Sequence, residues 1–286
     1  MMLVNGQITD MLPVTDRGLH YGDGLFETVL VRNGEPLLWQ RHLDRLQHSC
    51  HRLGIPLDTD AVVQDLATLL SGHPDCILKI IISRGSGGRG YASPAPPRTT
   101  RILQLHPLPT GNELKAEQGV KILRCLHPVS VNPALAGLKH LNRLDQVLAS
   151  RELRGHDEGL MCDPDGHVIE GIRSNLFVLT EQGIVTPDLS RAGVAGIMRS
   201  LLIDLFATRG IQVAVRPVDR ADVSRARELF VCNSVFGIWP VVSLDWNTHG
   251  ERNEEGEGMD GVREQTMTFE IGDRTRLAQQ WLREVF

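Results

Sequence analysis

Apolar residues recur with two different periods along this chain, and the switches between them outline its elements. Short apolar stretches flank Asn5-Gly6, and Asn33-Gly34 separates two more, at 26–32 and 36–39. Asn-Gly tolerates the positive φ values of a two-residue turn, so both sites predict β-hairpins. The period then lengthens. Leu43, Leu46, Cys50 and Leu53 fall on one helix face, and Gly54 is placed to end that helix. A second helix is predicted from a cap at Asp58 through Val62, Leu66, Leu69 and Leu70 to Gly72. Strands follow at 76–83 and 100–106.

From Pro107 to Gly119 the chain turns polar and reads as a linker. Beyond it the pattern predicts a strand at 120–126, a helix at about 140–153, and strands at 159–162, 168–170, 175–179 and 184–186. An amphipathic helix is expected at 194–208, strands at 212–218, 229–232 and 238–244, and a closing helix at 274–285. The tract 247–265 is acidic, contains glycine and is poor in apolar residues, which reads as a mobile loop. Strands that arrive in runs, with occasional helices, predict an α+β fold with largely antiparallel sheets. A chain of 286 residues is expected to form two domains. These are a smaller N-terminal α+β domain at 1–107, a linker at 108–118 and a larger C-terminal domain at 119–286.

Composition narrows the partners. A hydrophobic share of 41% and a charged share of 23% are ordinary for globular chains. The net charge of -5 argues against nucleic-acid binding through a general basic surface, so an anionic ligand must be caught by local arginines. Five scattered cysteines with no CxxC pair suit neither a zinc site nor a disulfide framework, and buried thiols with no metal are expected. The N-terminal residues lack a signal-peptide pattern, and no apolar run reaches the ~20 residues of a membrane span. A cytoplasmic protein with no membrane partner is the expectation.

Residues 85–90 spell GSGGRG, which formally contains GxGxxG after a strand. A dinucleotide site also needs a helix to start there, and Pro94, Pro96 and Pro97 forbid one. What remains is a loop carrying Arg84, Arg89 and Tyr91. Its guanidiniums suit a carboxylate-bearing ligand, and they equally suit a solvated surface turn.

Only four of the 30 basic residues are lysines: Lys79, Lys115, Lys121 and Lys139. Lys115 lies in the polar stretch, and Lys79 and Lys121 lie within strands. Lys139 stands at a loop-to-helix junction among apolar neighbours, a setting that suits a nucleophilic amine and also a merely solvated one. Glu170 ends the apolar pair Val168-Ile169; it fits a buried carboxylate or a strand-end surface residue. The stretch from Gly193 to Arg199 opens a long helix, whose first N–H groups are ready donors to phosphate. An amine, a carboxylate and a phosphate cup are what a protein must supply to pyridoxal 5′-phosphate (PLP).

In order along the chain, five motifs resemble the class IV aminotransferases, the fold-type IV PLP enzymes. They are Asp16-Arg17-Gly18 with residues 21–28 (YGDGLFET), residues 42–46 (HLDRL), Lys139, residues 170–177 (EGIRSNLF) and residues 193–199 (GVAGIMR). The resemblance covers roughly residues 3–244. It implies two α+β domains of the D-amino-acid aminotransferase type, with PLP in the interdomain cleft. It further implies that Lys139 carries the cofactor and Glu170 meets the pyridine nitrogen. Arg45, the backbone of Ile197 and Met198, and the Ser234 hydroxyl would hold the phosphate.

Within the family, residues 82–91 and 136–144 resemble the lyase branch, with His140 and Leu144 where transaminases place other residues. That branch implies conversion of 4-amino-4-deoxychorismate to 4-aminobenzoate and pyruvate, a step of folate biosynthesis. D-amino-acid or related transamination is the alternative. By the same resemblance Thr28 assists proton transfer, and Arg89, Tyr21, Asn142 and His140 face the substrate. A homodimer is implied, with the partner's smaller domain completing each site.

Overall fold

The computed structural model describes residues 1–249 and 262–285, which form two compact units. Met1–Thr110 and Leu138–Arg143 make the first, and Gly111–Gly137 with Leu144–Val285 the second.

The first unit holds strands β1 (Met2–Val4), β2 (Gln7–Ile8), β3 (Gly24–Arg32), β4 (Glu35–Pro36), β5 (Cys76–Ser83) and β6 (Thr100–His106). Its helices are α1 (Arg17–Tyr21), α2 (Trp39–Leu53) and α3 (Thr59–Leu70). The sheet order is β2-β1-β6-β5-β3-β4, antiparallel throughout. Both expected hairpin turns are present, with Asn5, Gly6, Asn33 and Gly34 all at positive φ. The Asp58 side chain caps α3 by accepting the Ala61 N–H, and α2 ends at Gly54. Along β3 the pleat sends Leu25, Glu27, Val29 and Val31 to the buried face that α2 covers. Phe26 and Thr28 point the other way. Leu43, Leu46 and Cys50 complete that core from α2, each fully buried aliphatic side chain contributing roughly 1.5–3 kcal/mol.

The second unit opens with α4 (Asn112–Gln118) and β7 (Val120–Arg124), followed by α5 (Leu144–Ser150), β8 (Glu158–Cys162), β9 (Val168–Gly171), β10 (Asn175–Thr180) and β11 (Gly183–Pro187). Then come α6 (Ile197–Ala207), β12 (Val213–Arg216), α7 (Arg220–Ser224), β13 (Glu228–Asn233), β14 (Gly237–His249), β15 (Val262–Thr268) and α8 (Asp273–Arg283). The sheet runs β12-β11-β10-β13-β14-β7-β8-β9, with β15 on β14. Its β11–β12, β14–β7 and β7–β8 pairings are parallel and the rest antiparallel, so this sheet is mixed. Phe177 and Phe230 stack on neighbouring strands at 4.8 Å, and Phe206 of α6 lies against Phe177 and, edge-on, Trp281 of α8.

Four stretches differ from the sequence expectation. Residues 112–118 of the expected linker are helical, because α8 supplies partners: Arg276 and Gln279 donate to the carbonyls of Ala116 and Glu117. The expected helix at 140–153 starts only at Leu144, since residues 139–141 pair with the start of β3 instead. The helix expected from Val194 starts at Ile197. Of the tract 247–265, residues 247–249 and 262–265 are paired arms of β14 and β15, a pairing that needs no apolar side chains. Its residues 250–261 lie outside the described residues. All five cysteines are free and buried.

Candidate active site

Lys139 sits in the extended stretch that adds to β3. Its carbonyl accepts the Phe26 N–H at 2.9 Å, Leu141 donates to the Gly24 carbonyl at 3.0 Å, and His140 bridges Leu25. This pairing places the Lys139 ammonium 4.4 Å from the Phe26 ring centroid. Lys79, directly opposite Thr28 on β5, brings a second ammonium to 5.6 Å from the same ring. Thr28 lies two residues beyond Phe26 on the same face of β3.

On the other face of β3, Glu27 is buried against α2. Arg45 grips it bidentately, Nε to Oε1 at 2.7 Å and Nη2 to Oε2 at 2.5 Å, and His42 Nδ1 meets Oε2 at 2.7 Å. Burial opposes the Glu27 charge, but the Arg45 charge and the His42 hydrogen bond outweigh it and bring the carboxyl down to about 2. Burial also pushes the His42 imidazole down, against the pull of Glu27. The ring is therefore neutral near pH 7 and donates Nδ1–H to the carboxylate.

In the second unit Glu170 is the penultimate residue of β9, 4% exposed. Its Oε2 accepts the Val194 N–H at 2.8 Å, and Gln146 of α5 donates to Oε1 at 3.4 Å. Asn175 donates to the Val194 carbonyl at 3.0 Å, and a Cβ on Gly196 would fall 1.9 Å from Asn175 Oδ1, so only glycine fits there. The turn thus fixed delivers Ile197 and Met198 as the first residues of α6, with Gly196 as an N-cap that offers no side-chain acceptor. Ser234 follows β13 in a turn that Asn233 organises by accepting from the Val235 and Phe236 N–H groups. Asn233 also donates to the Arg173 carbonyl, in the turn just beyond Glu170.

The glycine-rich loop carries no helix, as its prolines require, and it divides its arginines. Arg89 is exposed. Arg84 is buried and does not fit the ligand-gripping reading. It donates to Asp23 at 2.8 Å and to the Leu53 and Gly54 carbonyls at 2.8 Å each, which ties the loop base to the end of α2. Asp23 also accepts from Arg17 at 2.8 Å. Burial raises the cost of its charge, but hydrogen bonds from Arg84 and Arg17 hold its carboxyl below the usual range. Tyr21 ends α1 with its ring 5.4 Å from that of Tyr91. Asn142 donates to the Gly22 carbonyl at 3.1 Å.

Each unit therefore presents a chemically distinct set. The first has the amine of Lys139 beside the Phe26 ring, with Thr28 on the same face of β3 and Arg45 bound to Glu27 on the other. The second has a buried carboxylate and a helix start without a side-chain cap. Taken unit by unit, these are the donor types that PLP requires: an amine for its aldehyde in the first, and in the second a carboxylate for its ring nitrogen and backbone N–H groups for its phosphate. Sequence reasoning gave no role to Phe26, Lys79, Arg17 or Gln146. Strand register, which brings Lys79 opposite Thr28, is the signal that a pattern of single residues lacks. Asp163, Asp165 and His167 place ligand atoms within 4.8 Å of one another, but Asp163 is engaged in closing the β8–β9 turn.

The fold and this residue set define the class of protein. Residues 24–244 match the family described as amino-transferase class IV, and the chain belongs to that family of fold-type IV PLP enzymes. The chain is 34% identical over 247 residues to the aminodeoxychorismate lyase of Vibrio harveyi, covering 85% of this chain and 91% of that protein. It is 30% identical over 256 residues to a putative branched-chain-amino-acid aminotransferase of Methanocaldococcus jannaschii, covering 85% and 87%. The crystal structure of 4-amino-4-deoxychorismate lyase from Pseudomonas aeruginosa matches with a TM-score of 0.89 and 44% identity, over 99% of this chain and 98% of that one.

Proposed function

We propose that this chain is a PLP-dependent lyase that converts 4-amino-4-deoxychorismate to 4-aminobenzoate and pyruvate. The observation that carries this reading is the 44% identity, over 99% of the chain, to the Pseudomonas aeruginosa lyase. When bound, PLP supplies an electron sink for the electron pair left when a proton departs from the substrate's amine-bearing carbon. Lys139 is the amine that condenses with the cofactor. Once the substrate amine has taken its place, its Nζ removes that proton and returns one to the departing enolpyruvyl oxygen. Thr28, on the Phe26 face of β3, assists this transfer. Glu170 keeps the ring nitrogen protonated. Arg45, the Ile197 and Met198 N–H groups and the Ser234 hydroxyl hold the phosphate. Arg89 takes a substrate carboxylate, with Tyr21, Asn142 and His140 as further substrate contacts. The aromatic product makes the reaction strongly downhill.

The active form is a homodimer, in which the partner's smaller domain completes each site. The exposed side chains of Ile8, Met11, Val14 and Leu19 on the first unit support an apolar contact with another copy. A cytoplasmic location goes with this reading; no helix among the described residues is long and apolar enough to cross a membrane.

A second reading, a D-amino-acid or related class IV aminotransferase, is favoured by the 30% identity to the archaeal aminotransferase. A keto-acid-free assay separates the two. Equimolar pyruvate and 4-aminobenzoate over many turnovers supports the lyase, whereas a requirement for an added keto acid supports the transaminase.

A further inference from the structure

The loop that carries Arg89 is held by a side chain to which no cofactor or substrate role has been assigned. Arg17 is buried at 4% exposure beneath it. Its Nη1 donates to the Gly90 carbonyl at 3.0 Å and the Ala92 carbonyl at 3.2 Å, and its Nη2 to the Tyr91 carbonyl at 2.9 Å. Three consecutive carbonyls, those directly after Arg89, thus turn toward one guanidinium. A planar fork of five donors can satisfy these three carbonyls and the Asp23 carboxylate together, which the three donors of an ammonium cannot. The opposite edge of the guanidinium is locked by Nε to Asp23, whose same oxygen is held by Arg84. A Cβ on Gly87 would lie 3.1 Å from Arg17 Cδ, so glycine at that position lets the arginine stem run under the loop. The Tyr21 ring lies 4.9 Å from Arg17 Cζ and packs on Tyr91, which adds an aromatic clamp to the same segment.

We infer that Arg17 is a positioning residue for substrate recognition: it sets the path of residues 90–92, and through them the place of the Arg89 guanidinium. Arg17 governs substrate affinity without touching the substrate. The inference rests on the proposed assignment of Arg89 to a substrate carboxylate.

The test uses the PLP-loaded enzyme with Arg17→Met, Arg17→Lys, Arg89→Ala and the double variant Arg17→Met/Arg89→Ala. Trypsin cleavage after Arg89 reads the loop directly, with cleavage after the exposed Arg154 of the second unit as internal reference. Arg17→Met should speed the Arg89 cut about tenfold, the order expected when charge-assisted hydrogen bonds are lost. It should raise KM by a similar factor while kcat stays within about threefold and the cofactor spectrum is unchanged. Arg17→Lys, which keeps the charge but not the fork, should fall between, and it serves as the test variant if the methionine form does not fold. The double variant should have a KM no worse than Arg89→Ala alone, because both changes remove one function. An unchanged Arg89 cut, KM effects that multiply in the double variant, or a joint loss of kcat and cofactor absorbance overturns the inference. If Arg89→Ala leaves KM unaltered, the assignment of Arg89 fails and this inference with it. The trypsin rate then distinguishes that failure from a failure of Arg17 to hold the loop.

Discussion

The Lys139 ammonium lies 4.4 Å from the centre of the Phe26 ring, while the Lys139 carbonyl accepts the Phe26 N–H at 2.9 Å. One strand residue thus holds the lysine at both ends, its backbone through strand pairing and its amine through the ring face. Phe26→Leu leaves the backbone pairing intact and removes only the ring. A cation–π contact of roughly 0.5–2 kcal/mol corresponds to a loss in kcat/KM of about two- to thirtyfold. Thermal stability should change little. Unaltered kinetics would show that the ring does not orient the amine.

Borohydride reduction of the PLP-loaded enzyme should fix the cofactor to a single peptide containing Lys139. Lys79 makes this a sharp test, since its ammonium is 5.6 Å from the same ring. A label on Lys79 would contradict the assignment, as would retention of the label by Lys139→Ala.

Glu170→Gln should keep cofactor binding and lose turnover by tenfold or more, about 1.4 kcal/mol of barrier. The substituted amide can still accept the Val194 N–H through its oxygen, and Gln146 can rotate its own amide to suit, so the local structure survives. What disappears is the charge that keeps the ring nitrogen protonated. Turnover within about threefold of wild type, under about 1 kcal/mol, would refute that role.

Glu27 links stability to acid. Its folded-state value of about 2 lies below the ordinary 4.5, so its ionised form stabilises the fold fully above pH 4.5, and that contribution is lost as pH falls toward 2. The size is on the order of 3 kcal/mol for a shift of this extent. Asp23, also held low, acts in the same direction. Glu27→Gln should therefore lower stability at pH 7, where Arg45 faces a neutral partner, and flatten the decline between pH 4.5 and 2. Chemical denaturation across that range checks it; an acid-side slope identical to wild type would contradict the ion-pair account.

Elements whose cues are local were legible in the sequence. The Asn-Gly turns, the Asp58 cap and the Gly54 stop each act within a few residues. Elements decided by distant partners were not. Residues 140–143 are expected to begin a helix, yet Gly24 and Phe26 draw the backbone of residues 139–141 into strand pairing. Residues 112–118 fold as a helix whose last carbonyls are met by α8, more than 150 residues away. The site divides in the same way. Lys139, Glu170 and the start of α6 are proposed as site residues from motifs in order, each of which is contiguous. Phe26, Lys79, Gln146 and Arg17 act across strands or under a loop, and only register and side-chain reach bring them to their partners. Arg84 shows the converse: its place in the glycine loop suits a ligand grip or a solvated turn, and it is neither, being consumed by Asp23 and the end of α2.

The central claim is the reaction type, and competing turnover measurements on one preparation test it most directly. With 4-amino-4-deoxychorismate and no keto acid, the enzyme should release pyruvate and 4-aminobenzoate in equal amounts while the cofactor keeps its aldehyde-form spectrum through many turnovers. Slow transamination of D-alanine beside this activity is compatible with it. If D-alanine with 2-oxoglutarate turns over faster than pyruvate is released from aminodeoxychorismate, the chain is a transaminase and the lyase account is wrong.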